Sequence, residues 1–185
     1  MGALAAALGA APVTAYHLTG HRFDHTAITY SCNAPEDFRL ALREWAKYSG
    51  ITDGGCEAPN PDITFRPTSP WPYGEAAGVA GCESSEGITL RCFVAIRPGL
   101  DPRLVFPVAF HELGHALGLG HSCELAPEYP EWDCARAPWP IQEAAMAPYC
   151  CNTPTSDDIA GIQELYGPPA PGPRLYRLFA PAVSR

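Results

Sequence analysis

Lysine is almost missing from this chain: Lys47 stands alone beside eleven arginines, and the 185 residues carry a net charge of −8. The arginines are scattered and form no run of the kind that tracks phosphates, which argues against nucleic acid as a partner. Acidity of this size serves solubility. Long apolar runs are missing too. After the first fifteen residues no stretch approaches the roughly 20 apolar residues of a membrane span. No CxxC pair occurs, so the cysteines do not read as a thiolate metal site. Histidine is absent between His25 and His111, and the only methionine besides Met1 is Met146.

What is present points to a folded, oxidised domain. A hydrophobic content of 46% is enough for a packed core. Eight cysteines, at 32, 56, 82, 92, 123, 134, 150 and 151, read as disulfides and place the chain in an oxidising compartment, hence secreted. Pairing cannot be derived from sequence, but Cys82–Cys92 and Cys123–Cys134 are expected to close local loops. Neighbouring Cys150 and Cys151 are expected to reach different partners, because a bridge between adjacent residues is strained. Residues 1–15 resemble the apolar part of a secretory signal without its positive start, or else a disordered beginning. Residues 16–167 are expected to form one domain, and 168–185 a Pro-rich tail. Nothing suggests more than a monomer.

Periodicity gives the coarse layout. "AITYS" (27–31), "DITFRP" (62–67) and "GITLRCFVAIRP" (87–98) read as strands. "APEDFRLALREWAKYSG" (34–50) reads as a helix with Phe38, Ala41, Leu42, Trp45 and Tyr48 on one face. The stretch 68–87 reads as loop, with one short strand at "AGVAG" (77–81). Asp101-Pro102 could cap a helix running into the histidines, but Pro107 would break or kink it, or else the helix starts near Phe106. "TSDDIAGIQELYG" (155–167) reads as a last helix with a Thr155–Asp158 capping box and Gly167 as the stop.

The chemistry concentrates in "HELGHALGLGHSC" (111–123). On a helix His111 and His115 lie one turn apart and can reach one ion at about 2.0–2.1 Å. A continued helix would carry His121 about 9 Å further along the axis and away from that face. The chain must therefore turn. Gly118 is placed to let it, since glycine enters left-handed conformations without steric cost. Three neutral nitrogen ligands leave a fourth position open, which is the catalytic arrangement for zinc. Water activated there becomes a nucleophile, and Glu112, at the edge of the same face, is placed as its general base. The other trio, His17, His21 and His25, has no glutamate or helix signal beside it and reads as a solvated terminus.

These residues resemble the metzincin signature of zinc endopeptidases, and within it the matrixins, the matrix metalloproteinase family. Ser122 follows the third histidine as in matrixins. "AAMAPY" (144–149) resembles their Met-turn, and "SDDIAGIQELYG" (156–167) their last helix. "AITYSC", "ALREWAKYSGI" and "PDITFRP" follow the order of their first elements. The resemblance covers roughly residues 23 to 167. It implies an α+β, zincin-like fold: a twisted, mostly parallel five-stranded sheet with one antiparallel edge strand, three helices and a small C-terminal subdomain. It also implies one catalytic zinc held by His111, His115 and His121, with Glu112 as catalytic residue and Gly118 and Met146 as structural support. Calcium is a further ion it leaves open. A protein or peptide substrate would lie extended along the edge strand, with "AGVAG" as the expected edge.

Three features depart from the family. The histidines that would hold a second, structural zinc are absent. His121 and Met146 stand 25 positions apart, far more than in the family, and the insertion (123–145) carries Cys123, Cys134, Trp132 and Trp139. A thiolate at Cys123 would fill the open metal position and block hydrolysis, so this cysteine reads as oxidised. Tyr149 stands three rather than four residues after the methionine. A catalytically silent zinc-binding extracellular module of the same fold is the alternative function. A disulfide-rich structural or inhibitor protein is a third, and it leaves the histidine pattern unexplained.

Overall fold

The computed structural model describes residues 16–57, 59–121, 146 and 153–171. In chain order its elements are β1 (His17–Leu18), β2 (Ala27–Ser31), α1 (Glu36–Ala46), β3 (Thr52–Glu57), β4 (Ile63–Phe65), β5 (Gly78–Ser85), β6 (Ile88–Ile96), α2 (Pro102–Ala116), β7 (Leu119–Gly120) and α3 (Ser156–Tyr166). Five strands form one sheet in the order β3-β2-β4-β6-β5, and β1 pairs with β7 in a separate two-stranded sheet. Within the large sheet β3, β2, β4 and β6 run parallel, and β5 lies antiparallel to β6 at the edge. This is the expected α+β, mostly parallel arrangement with one antiparallel edge. Among the described residues no helix is long and apolar enough to cross a membrane.

The core lies between the sheet and the first two helices. Alternation in β2 buries Ile28 and Tyr30, and the helical period of α1 buries Phe38, Ala41, Leu42 and Trp45. These meet Ala109, Phe110, Leu113 and Ala116 of α2. Trp45 and Phe110 stack with ring centroids 4.4 Å apart. The Trp45 indole N–H donates to the Phe110 carbonyl at 3.0 Å, so the largest core side chain also satisfies its one polar atom.

Several boundaries differ from the sequence reading, each for a physical reason. α1 is shorter than 34–50, starting after Pro35 as N-cap and ending before Lys47. β3 was not legible: "TDGGCE" has low strand propensity, and it is held by pairing with β2 and by the Cys32–Cys56 disulfide. The edge strand is eight residues long rather than a short 77–81 segment in a loop. Its partner β6 lies one two-residue hairpin away, in which Glu86 and Gly87 both take positive φ. The Cys82–Cys92 disulfide joins directly opposed residues of that hairpin, as the sequence suggested. α2 does not start near Phe106. It begins at Pro102, where the Asp101 carboxylate accepts the Arg103 N–H at 2.9 Å, and Pro107 sits inside the helix. A cap and a proline-started first turn outweigh the single hydrogen bond Pro107 cannot donate. α3 carries the expected capping box at Thr155 and Asp158, with Gly167 at its end.

The terminal segment is solvated only in part. Residues 16–22 dock on the body of the domain through β1, with His17 and His21 half-buried, while His25 is exposed as expected. The leader reading (1–15), Ser122, the 123–145 insertion, the Cys123–Cys134 pairing, Tyr149, Cys150, Cys151 and the tail from 172 lie outside the described residues.

Candidate metal centre and cleft

α2 presents two faces with different chemistry. Ala109, Phe110, Leu113, Gly114 and Ala116 turn into the core, while His111 and His115 sit half-buried on the other side. The helix stops where the sequence suggested. Gly118 has φ +103°, and a Cβ there would meet the His21 carbonyl oxygen and Leu165 Cδ1. The chain turns back through β7, and His121 arrives beside the first two histidines.

The three Nε2 atoms converge. They lie 3.1 Å apart for His111 and His115, 3.0 Å for His115 and His121, and 3.3 Å for His111 and His121. A tetrahedral ion with ligands at about 2.0–2.1 Å has ligand–ligand edges of about 3.3–3.4 Å, so the triangle is the right size for three corners of one. The tautomer fits as well. His115 Nδ1 lies 2.8 Å from the Leu119 carbonyl oxygen, which can only accept, so Nδ1 carries the proton and Nε2 offers a lone pair. Burial, reinforced by His111 and His121, pushes the His115 imidazole down to about 3. Three Nε2 atoms meeting at one spot, with the His115 lone pair turned toward it, suit a metal ion. Among the described residues, these three are the ligand-type side chains that meet in this way; His17, His21 and His25 do not.

Glu112 occupies the gap between α2 and the edge strand. It is 7% exposed, and burial pushes its carboxyl up to about 8 against the pull of the Ala80 N–H it accepts. It can sit there because Gly78 has no side chain: a Cβ on Gly78 would strike Val108 Cγ1 and Glu112 Cγ and Oε1. A cleft of about 600 Å³ runs along this seam, lined by Gly78, Val79, Ala80, Pro107, Val108, the three histidines and Glu112, and reaching Leu104 and Arg97.

The edge strand offers hydrogen bonds over the same cleft. β6 directs the Cys92 N–H and the Val94 carbonyl toward the β4 side. In the antiparallel β5–β6 ladder the pairs Gly78↔Ile96, Ala80↔Val94 and Cys82↔Cys92 are therefore the non-hydrogen-bonded ones. The backbone groups of Gly78, Ala80 and Cys82 face outward, and Glu112 takes one of them.

No family model matches the chain. Individual proteins do. Matrix metalloproteinase-16 of Homo sapiens is 30% identical over 199 residues, covering 83% of this chain and 29% of that protein. The chain belongs to the matrixin family. Stromelysin-1 of Equus caballus is 40% identical over 67 residues, 36% of this chain and 12% of that protein. Matrix metalloproteinase-20 of Homo sapiens is 43% identical over 65 residues, 35% of this chain and 11% of that protein. The chain thus spans less than a third of the length of each of these curated relatives.

Met146, expected to support the site, packs against α2. It is 1% exposed, and its sulfur packs under α2 at Gly114, between the two helical histidines, with Trp45 alongside. Its backbone N–H reaches Asp158 Oδ1 at 3.3 Å, so the residue that caps α3 also holds the methionine. Gly78, Ala80 and Thr19 escaped the sequence reading. The one available signal was the run of small residues in "EAAGVAG", which in a strand marks close backbone approach.

Proposed function

We propose that this matrixin domain is a secreted zinc-dependent endopeptidase that cuts extended peptides docked along the outer edge of β5. The observation that carries the reading is the meeting of three histidine Nε2 atoms next to a buried glutamate, beneath a strand edge that pairs with no other strand among the described residues. His111, His115 and His121 are the zinc ligands, and Gly118 and Met146 hold them in place. A zinc ion held by these residues would supply Lewis acidity toward a water molecule and the scissile carbonyl. Glu112 takes the proton from the attacking water and passes it to the leaving amine. Its hydrogen bond from Ala80 aims the carboxylate, and burial strengthens it as a base. The outward backbone groups of Gly78 and Cys82 and the Ala80 carbonyl pair with the substrate as an added strand. The disulfides support secretion.

Glu112→Ala tests this directly. Metal analysis should still find one zinc per chain, while chelator-sensitive cleavage of a mixed peptide library falls by about 10²–10⁴-fold. Cleavage at the wild-type rate in that variant would falsify the mechanism. A wild-type protein that binds zinc and peptide without cutting would identify the silent binding module instead.

A further inference from the structure

The residues 16–22 that dock on the body build a second pocket beside the first. The Thr19 N–H and hydroxyl both donate to the Gly118 carbonyl, at 2.9 and 3.0 Å. Arg22 N–H donates to the Gly87 carbonyl, and Thr89 N–H to the Arg22 carbonyl. These bonds lay the segment between the ligand turn and the hairpin, with the His21 ring half-buried and its Nδ1 3.0 Å from Thr89 Oγ1. A pocket of about 270 Å³ opens there, lined by Thr19, His21, Ala80, Gly81, Cys82 and His115. It meets the larger cleft at Ala80 and His115 and continues along β5 in the opposite direction.

The position of Glu112 fixes which half of a substrate lies where. The group that hands a proton to the leaving amine sits on the Gly78 side, so the amine half of the peptide runs over the large cleft. The acyl half runs over Gly81 and Cys82, above the small pocket. Among the described residues the lining there carries no carboxylate, ammonium or guanidinium. It offers an imidazole and a threonine hydroxyl whose oxygen keeps accepting capacity after its proton goes to Gly118. Burial pushes the His21 imidazole down, keeping it neutral.

We propose that the pocket at His21 binds an uncharged, hydrogen-bonding substrate side chain on the acyl side of the cut bond. This makes His21 a specificity-determining residue supplied by the terminal segment. The proposal rests on the endopeptidase reading above, and its test separates the two.

The test uses the full 185-residue chain and fluorogenic peptides carrying Gln, Glu, Leu or Ala at each of the three residues before the cut bond. At one position the wild type should favour Gln over both Leu and Glu by about five- to tenfold in kcat/KM, the worth of one neutral hydrogen bond. His21→Leu should bring that ratio near one, while His21→Gln, which can still hydrogen-bond, should restore part of it. Zinc content of each variant reports whether it folds. A flat wild-type profile, a preference for Glu over Gln, or a His21→Leu profile identical to wild type overturns the pocket. Failure of the endopeptidase reading looks different: no chelator-sensitive cleavage of any peptide. In that case the affinities of the Gln and Leu peptides for zinc-loaded Glu112→Gln protein, read by fluorescence anisotropy, decide the matter, and equal affinities overturn the pocket.

Discussion

In the zinc site proposed above, His111 and His115 reach their places in a different way from His121. The first two need only the pitch of one helix, whose far end is capped by Asp101 and whose inner face is seated on Trp45. The third stands on a turn held by three contacts from two distant stretches. Thr19 holds Gly118 from the terminal segment, β1 pairs with β7, and the Tyr166 hydroxyl at the end of α3 donates to the Leu117 carbonyl at 3.0 Å. Two ligands are therefore properties of a local sequence, and one is a property of the whole fold. The difference teaches where the site is vulnerable: zinc retention should follow the contacts around residues 117–120 more closely than the stability of α2.

Substitutions can break that asymmetry in graded steps. Gly118→Ala forces a side chain into a positive-φ position and against the His21 carbonyl. It should destabilise the domain by about 2–4 kcal/mol in urea unfolding and weaken zinc binding more than any other change considered. Tyr166→Phe comes next. The hydroxyl also accepts the Phe23 N–H at 3.2 Å, and its loss leaves two buried backbone groups without a partner, at a cost of about 1–3 kcal/mol. Zinc should pass to a competing chelator measurably faster in this variant, and an unaltered rate would count against any role for α3 in holding the third ligand. Thr19→Val removes one of the two bonds to Gly118 and should cost about 1 kcal/mol. Its hydrogen-exchange signature should rise at residues 118–120 and stay at wild-type level in α2. Asp101→Ala sharpens the contrast from the other end. Loss of the cap should lower stability by about 0.5–2 kcal/mol yet leave zinc affinity where it was; a large drop in affinity there would mean that the helix and the turn are not separable.

The same division explains what could be read from the letters. The helix–turn motif, the capping box at Thr155 and the strand at 27–31 follow from spacing and alternation among near neighbours. The convergence of His121 on the first pair was legible because Gly118 marks where a helix must end. By contrast β3, β1 and the docking of residues 16–22 depend on partners far along the chain, and "TDGGCE" or "YHLTGHR" carries no pattern of its own. The seat of Glu112 was hard to read for another reason. It is made by a missing side chain at Gly78 and by a backbone N–H at Ala80, and the run of small residues in "EAAGVAG" signals close approach there without saying what approaches.

The bond between Thr19 and Gly118 spans 99 positions, and that separation has a consequence in time. Closing so long a segment costs entropy that a helix turn does not, so contacts of this kind form late in folding. The expected order of assembly is helix first, strap second. An ion that arrives between those two events meets a pair of histidines instead of three, and binds correspondingly weakly. On the zinc reading proposed above, the domain ties firm capture of its metal to completion of its own fold.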